Sequence, residues 1–299
     1  MVTCSTLQRN VPFGFPGVDL YSTIDLHSHS TESDGQFSPT AVVARAAENG
    51  VTHLALTDHD TVTGIDEALQ AAMSHGLEVI PGVELSSQWN GRSVHIVGLN
   101  IDPEHPALTE ALSALGRERD QRAEKIAERL EKLGFHGALE GAKRFAGGAV
   151  VARPHFARFL VDAGYVKSIQ KAFAKYLGKG KAGDIKPAWP SMADAIHCVK
   201  KSGGIAVLAH PLSYDLTRTK LKSLISDFSD AGGEAIEVVS GDQSRQEIES
   251  LAMLAQEFHL KGSCGSDFHV DNAPWQELGR TPPLPSQCIP VWGDWAWPL

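Results

Sequence analysis

Seven short apolar runs, rich in Val, Ile and Leu, recur along the chain at about residues 22–27, 52–57, 78–83, 93–99, 205–209, 235–239 and 262–266. Runs of this length without polar alternation predict strands buried on both faces, the habit of parallel sheets. Segments with helical spacing separate most of them: 38–49, 64–75, 191–202, 217–231 and 243–259. Ser38 and Ser191 fit as N-caps, and the pairs Gly203-Gly204 and Gly232-Gly233 fit as helix stops. Strand and helix in alternation, with seven strands, predict an α/β fold of βα-barrel type rather than a sandwich.

The spacing of the runs also locates an insertion. More than 100 residues separate the fourth run from the fifth, whereas other neighbours are about 10–30 apart. The gap opens with Asp102-Pro103 and holds a long amphipathic pattern with Leu108, Leu112, Leu115, Ile126, Leu130 and Leu133 near helical spacing. Further helical pieces are expected near 154–163 and 168–177. The resulting division is a barrel over 20–102 and 187–285, a helical insertion over 103–186 standing above its open end, and terminal extensions 1–19 and 286–299. Trp292, Trp295 and Trp297 mark the last of these as a packing tail.

Polar residues with metal-binding chemistry return at or just beyond the ends of the apolar runs. The segments IDLHSHSTESDG, LALTDHD, VIPGVEL, VHIVGL, IAVLAHP and CGSDFH present His27, His29, Asp34, His59, Glu84, His95, His210, Asp267 and His269. In a barrel of parallel strands such ends converge on one face, so these residues predict a multinuclear metal centre and, with it, hydrolysis. His27 and His29, two residues apart, face the same way in an extended segment, and Asp267 and His269 repeat the spacing. Glu84 offers two oxygens and can bridge neighbouring ions. Nitrogen and oxygen donors without thiolate suit Mn²⁺, Zn²⁺ or Fe²⁺. Asp25, Asp58 and Asp60 stand beside ligands; they read as partners that orient the imidazoles, or as strand-end and turn caps. His53, His75, His105, His136, His197 and His259 lie in helices or loops and receive no metal role.

Composition narrows the classes. The chain has 299 residues, 42% apolar and 21% charged, with no apolar stretch long enough to span a membrane and no secretion-signal pattern. Cys4, Cys198, Cys264 and Cys288 form no CxxC pair and read as reduced thiols of a cytoplasmic protein. A net charge of −9 argues against a coat of basic patches for long duplex nucleic acid. No GxSxG, CxxxxxR or Walker A motif supplies a covalent nucleophile or a nucleotide loop.

The ordered segments DLHSHSTESDG, LTDHD, GVE, HIVG, AHP and GSDFH resemble the successive motifs of the PHP superfamily, named for polymerase and histidinol phosphatase, over about residues 22–272. The resemblance implies a distorted (β/α)7 barrel with a helical insertion and a site for three divalent ions, Mn²⁺ foremost and Zn²⁺ or Fe²⁺ as alternatives. It implies that His27, His29, Glu84 and Asp267 hold one ion, Asp34, His59 and His269 a second, and His95 and His210 a third, with Glu84 bridging. Three such ions against three ligand carboxylates leave about three positive charges, which a phosphate monoester dianion and a metal-bound hydroxide at the trinuclear centre would neutralise.

Substrate recognition falls to the insertion. Arg117, Arg119, Arg122, Lys125 and Arg129 share one helix, followed by Arg153-Pro154-His155-Phe156 and Lys175-Tyr176. Lys125 and Arg129 read as a solvated face. Arg119, Arg122 and Arg153, with His155 and Lys175, are the candidate substrate-binding residues, because a guanidinium grips phosphate through two hydrogen bonds. The branch that the chain most resembles contains nucleoside 3′,5′-bisphosphate phosphatases and 5′→3′ exoribonucleases of short RNA. It implies a substrate whose 5′-phosphate is held by basic residues while the 3′-phosphoester is cut. Histidinol-phosphate phosphatase and a non-catalytic, metal-binding module are the competing readings. Protein partners are not indicated.

Overall fold

The computed structural model describes residues 22–241, 243–271 and 274–295. Its strands are β1 (Ile24–Asp25), β2 (His53–Leu56), β3 (Glu78–Trp89), β4 (Arg92–Leu99), β5 (Ile205–Leu208), β6 (Ala235–Ser240) and β7 (Lys261–Gly265), hydrogen-bonded in sequence order as one sheet. The first and last edges meet. Leu26 N–H donates to the Cys264 carbonyl at 3.0 Å, Asp267 N–H to that of His27 at 2.9 Å, and His29 N–H to that of Phe268 at 2.9 Å. The sheet is thereby a nearly closed seven-stranded barrel.

The helices are α1 (Pro39–Glu48), α2 (Ile65–His75), α3 (Pro106–Glu131), α4 (Ala138–Ala146), α5 (Arg153–Asp162), α6 (Ile169–Ala172), α7 (Met192–Lys201), α8 (Arg218–Asp230) and α9 (Arg245–Glu257). Ser38 and Ser191 cap α1 and α7, their hydroxyls accepting from Ala41 and Asp194 N–H. α4 was not foreseen, and the segment expected as a helix over 168–177 is α6 followed by a π-helical turn at Phe173–Leu177. No helix among the described residues is long and apolar enough to cross a membrane. Cys198, Cys264 and Cys288 are free and buried.

One expectation needs correction: the barrel is not all parallel. β1–β2–β3 and β5–β6–β7 run parallel, but β4 pairs antiparallel with both β3 and β5. No crossover helix separates β3 from β4. They are joined by Asn90-Gly91, both at positive φ (48° and 73°), the residue pair that suits a two-residue hairpin. β3 is accordingly twelve residues long. Its first part, through Pro81, pairs with β2, and Gly82 to Trp89 pair with β4. Glu84 and His95 therefore reach the site from the middle of a hairpin rather than from strand ends.

Apolar residues of the successive strands, among them Ala55, Ile80, Val97, Leu99, Val207 and Ala235, form one buried cluster with Val291, against which Trp292 and Trp295 pack; Trp297 lies outside the described residues. The segment between β4 and β5 has a separate core built from α3, α4, α5 and α6. α3 serves both. Leu108 and Leu115 belong to the core shared with the barrel, and Ala123, Ile126, Ala127 and Leu130 to the core of the insertion. Arg119 lies on the same stripe where one core gives way to the other, and it is buried.

Candidate metal centre

Each strand delivers at least one polar side chain to a common point. His27 and His29 follow β1, His59 follows β2, Glu84 and His95 come from β3 and β4, His210 follows β5, Glu237 stands in β6, and Asp267 and His269 follow β7. Asp34 comes from the loop before α1. Two of these positions, and Asp60 beside a third, strain the backbone. His210, Asp267 and Asp60, the neighbour of His59, hold φ values of 27°, 55° and 53°, a conformation that costs a non-glycine residue about 1–3 kcal/mol and clusters at functional sites.

Glu84 is the hub, buried completely. Its Oε2 lies 3.3 Å from His27 Nε2, 3.3 Å from His29 Nε2 and 2.9 Å from His59 Nδ1. Its Oε1 lies 2.8 Å from His95 Nδ1 and 2.9 Å from His210 Nε2. Asp267 Oδ1 closes the first group, 3.5 Å from His27 Nε2 and 3.3 Å from His29 Nε2, with the two imidazole nitrogens 3.1 Å apart. Donors arranged tetrahedrally at metal distances of about 2.0–2.1 Å stand about 3.3–3.4 Å from one another, so this spacing fits an ion at the centre. His269 Nε2 lies 3.2 Å from Asp34 Oδ1, and His29, Asp34, His59 and His269 form a second group whose donor atoms lie within 4.8 Å of one another. His59, Glu84 and His95 form a third. His29 thus belongs to two groups.

Two further observations agree that a cation fits. His29 Nδ1, Asp34 Oδ1, His59 Nδ1 and Glu84 Oε2 are buried without a hydrogen bond, an expensive state for polar atoms that a cation would relieve. The charges also call for one. Burial pushes the Glu84 carboxyl up, but His59, His95 and His27 outweigh it and hold it well below the usual range. Burial lowers the His27 and His269 imidazoles, yet the surrounding carboxylates raise His27 well above its ordinary value and His269 to about 10. Divalent ions bound there would supply positive charge beside these carboxylates.

The His27 imidazole is held by a carboxylate that the sequence did not single out. Glu237 Oε1 accepts from His27 Nδ1 at 2.5 Å and its Oε2 accepts from the His210 backbone N–H at 2.5 Å. That directs His27 Nε2 at the cluster, where it would offer its lone pair to a bound ion. A lone carboxylate in the otherwise uncharged run AIEVVS was the available signal, since a charge is buried only beside a partner. Tyr214 was also missed; its hydroxyl accepts from the His95 N–H at 2.9 Å and donates to the Ala209 carbonyl at 2.9 Å.

The expectation that Asp25, Asp58 and Asp60 orient imidazoles is corrected: their hydrogen bonds go to backbone amides, hydroxyls and an arginine. Asp25 accepts from Ser266 N–H at 2.8 Å and Gly279 N–H at 3.2 Å. Asp58 accepts from the amide and hydroxyl of Ser30 and from the Ser33 hydroxyl, which folds the loop carrying Asp34. Asp60 accepts from Ser86 N–H and Arg119 Nε, each at 2.6 Å. At strand ends the nearest unsatisfied donors are backbone N–H groups, and short Asp side chains reach those first.

The insertion brings three of its five candidate side chains to the cluster. Arg119, Arg122 and Arg153 line a cavity of about 170 Å³ with Asp34, His59, His95, Phe173 and Trp189. Arg119 also donates to the Ser86 hydroxyl at 2.9 Å, and both Arg119 and Arg122 lie over the Trp189 ring, 5.3 and 5.9 Å from its centroid. Burial, then the charges of Arg153 and Arg119, push the Arg122 guanidinium down to about 10. Burial lowers Arg153 as well, against the opposing charge of Asp184. Clustered, partly desolvated guanidiniums favour an anion. His155 and Lys175 do not line this cavity. His155 is buried, pushed down to about 4 by burial, and its Nδ1 accepts from Ala152 N–H at 2.9 Å as a helix-start cap; Lys175 is exposed on the π-helical turn. Arg158, not singled out in the sequence, donates to the Asp34 carbonyl at 2.9 Å.

A nearly closed seven-stranded barrel with such a donor cluster at its mouth defines a class, and the chain belongs to the PHP family: the PHP domain profile matches residues 25–148. It is 49% identical over 276 residues to the 5′-3′ exoribonuclease Rnm of Escherichia coli (strain K12), an alignment spanning 92% of this chain and 94% of that protein. Identity is 43% over 274 residues to the 3′,5′-nucleoside bisphosphate phosphatase of Chromobacterium violaceum, spanning 91% and 96% of the two. A solved structure described as an amidohydrolase of Chromobacterium violaceum, with bound sulfate and no metal, superposes with a TM-score of 0.86 at 43% identity, covering 91% of this chain and 95% of the other.

Proposed function

We propose that the chain is a metal-dependent phosphoesterase that hydrolyses the 3′-phosphoester of nucleoside 3′,5′-bisphosphates and of short 5′-phosphorylated RNA, the latter in the 5′→3′ direction. The observation that carries this reading is the adjacency of the donor cluster to a cavity lined by Arg119, Arg122 and Arg153. The names of the relatives, an exoribonuclease and a bisphosphate phosphatase, support pairing the two substrates.

In this reading His27, His29, Glu84 and Asp267 hold one divalent ion, Asp34, His59 and His269 a second, and His95 and His210 a third with Glu84 shared, Mn²⁺ being the first choice. Bound there, the ions would acidify a water and offset the charge of the phosphoryl group. The protein's own groups do the rest. Glu237 holds the proton on His27 Nδ1, so that Nε2 stays a donor. Residues 103–186 act as the substrate-gripping insertion. Arg122 and Arg153 clamp the 5′-phosphate, and Trp189 backs the Arg119 and Arg122 planes. A 5′-phosphate held at that distance presents the P–O3′ bond of the same nucleotide to the cluster. Its cleavage yields inorganic phosphate from a bisphosphate. From RNA it leaves a new 5′-phosphate on the shortened chain, which is again a substrate.

Purified protein with Mn²⁺ should hydrolyse adenosine 3′,5′-bisphosphate (pAp) and a 5′-phosphorylated RNA pentamer, and should act much less well on the 5′-hydroxyl pentamer and on histidinol phosphate. Turnover of histidinol phosphate alone would sink the proposal. Arg153→Ala should raise KM for the 5′-phosphorylated pentamer at least tenfold more than for the 5′-hydroxyl one; equal effects would remove Arg153 as the clamp.

A further inference from the structure

The donor cluster opens on a second side. A cavity of about 340 Å³ adjoins His210 and Asp267, and it shares no lining residue with the arginine-lined cavity beside Asp34, His59 and His95. The rings of His95 and His210, 5.2 Å apart between centroids, stand between the two. Both histidines touch the same Glu84 oxygen, so a phosphoryl group over the cluster reaches both cavities at once.

The chemistry of this second cavity is opposite to that of the first. Ser213, Ser240, Gln243 and Gln276 offer hydroxyls and amides, no lysine or arginine lines it among the described residues, and Glu247 adds a carboxylate to that of Asp267. The Ser244 hydroxyl and amide hold the Glu247 carboxyl below its ordinary value, which keeps it charged. A wall with a carboxylate and no cation disfavours phosphate, while neutral amides and hydroxyls suit ribose hydroxyls and base edges. The volume lies within the range of about 300–1,000 Å³ typical of small-molecule sites. An inorganic phosphate product has no use for such a space.

Resting on the functional reading above, we propose that this cavity is a subsite for the second nucleoside of a 5′-phosphorylated RNA, the one esterified to the scissile phosphoryl group. Water oxygen bonds to phosphorus, the P–O3′ bond of the first nucleotide breaks, and the proton passes to that 3′-oxygen. The first nucleotide leaves from the arginine side. The second, now carrying a 5′-phosphate that the Glu247 carboxylate repels, leaves from that side. The subsite makes the protein an oligonucleotide enzyme by construction, with bisphosphate hydrolysis using only half of the groove.

Two diesters of identical reacting chemistry test this: the 5′-phosphorylated dinucleotide pApA and the methyl ester of the 3′-phosphate of pAp. With wild-type, Mn²⁺-loaded protein, kcat/KM for the dinucleotide should exceed that for the methyl ester at least tenfold, and Gln276→Trp, which fills the cavity, should erase most of that ratio. Equal values for the two diesters in the wild-type protein, alongside turnover of pAp, would overturn the subsite and leave the functional reading standing. Hydrolysis of neither pAp nor any diester would overturn both. A ratio unmoved by Gln276→Trp, with metal content and circular dichroism of the variant as in wild type, would also overturn the subsite. The wild-type comparison holds whether or not that variant folds.

Discussion

At the residue scale the cluster combines side chains that could hold ions with side chains that hold other side chains. Glu237 belongs to the second kind, and Glu237→Gln removes a strong acceptor from His27 Nδ1–H while keeping the shape. Loss of such a partner weakens metal binding about 10–100-fold. Equilibrium dialysis against Mn²⁺ should show that drop, and unchanged affinity would remove Glu237 from the orienting role. Arg119 and Arg122, three residues apart, should diverge. Arg119 is buried and paired with Asp60 at 2.6 Å, so Arg119→Ala leaves a buried carboxylate unpaired, a change worth about 3–5 kcal/mol in chemical denaturation. Arg122→Ala should spare more of the stability and raise KM instead, because Arg122 Nε donates to the Ile185 carbonyl and the side chain lines the cavity. Most of the nine candidate ligands were readable because they are polar residues at the ends of apolar runs. Glu237, Tyr214 and Trp189 were not, since each lies within or beside apolar sequence and acquires its meaning from a partner more than fifty residues away.

At the element scale the site depends on how closely strands approach. Gly265 ends β7 against His27, and a Cβ there would sit 2.6 Å from the His27 backbone nitrogen. Gly265→Ala must therefore push β1 and β7 apart at the barrel seam. A reduced metal content at fixed free Mn²⁺, with far-ultraviolet circular dichroism little changed, is the expected result; full metal content would show that the seam can give. The seven strands and the barrel helices were legible from run length and caps, with Ser38 and Ser191 in their expected places. The reversal of β4 was legible too, in Asn90-Gly91 between two apolar runs, but the count of alternating elements concealed it. α4 was not legible. Its stretch ALEGAKRFA is only nine residues long between Gly137 and Gly147, and the residues it buries against α5, Ala138, Gly141, Ala142 and Ala146, are too small to read as an apolar run.

At the scale of the whole molecule the donor cluster links stability to metal. Candidate ligands from all parts of the barrel converge on one point, and ions that bind the folded chain and not the unfolded one would stabilise it by about 2.7 kcal/mol per site at a hundredfold excess over Kd. Removing metal with a chelator should lower Tm by about 5 °C or more, reversed by added Mn²⁺. A Tm indifferent to both would refute a structural load on the site. α3 joins the barrel core to the insertion core, and Arg158 on α5 holds the Asp34 carbonyl, so cavity and cluster form one mechanical unit. What the sequence determined alone was local: strand lengths, caps, the insertion and the donor chemistry, each written in residue type and short-range period. Only the tertiary structure decided that Glu84 touches five imidazoles, that Arg119 pairs with Asp60 while Arg122 and Arg153 line a cavity beside the cluster, and that a cavity with Glu247 in its wall lies across the cluster from the arginine-lined one. Those facts depend on distances between segments far apart in the chain, which no local period encodes.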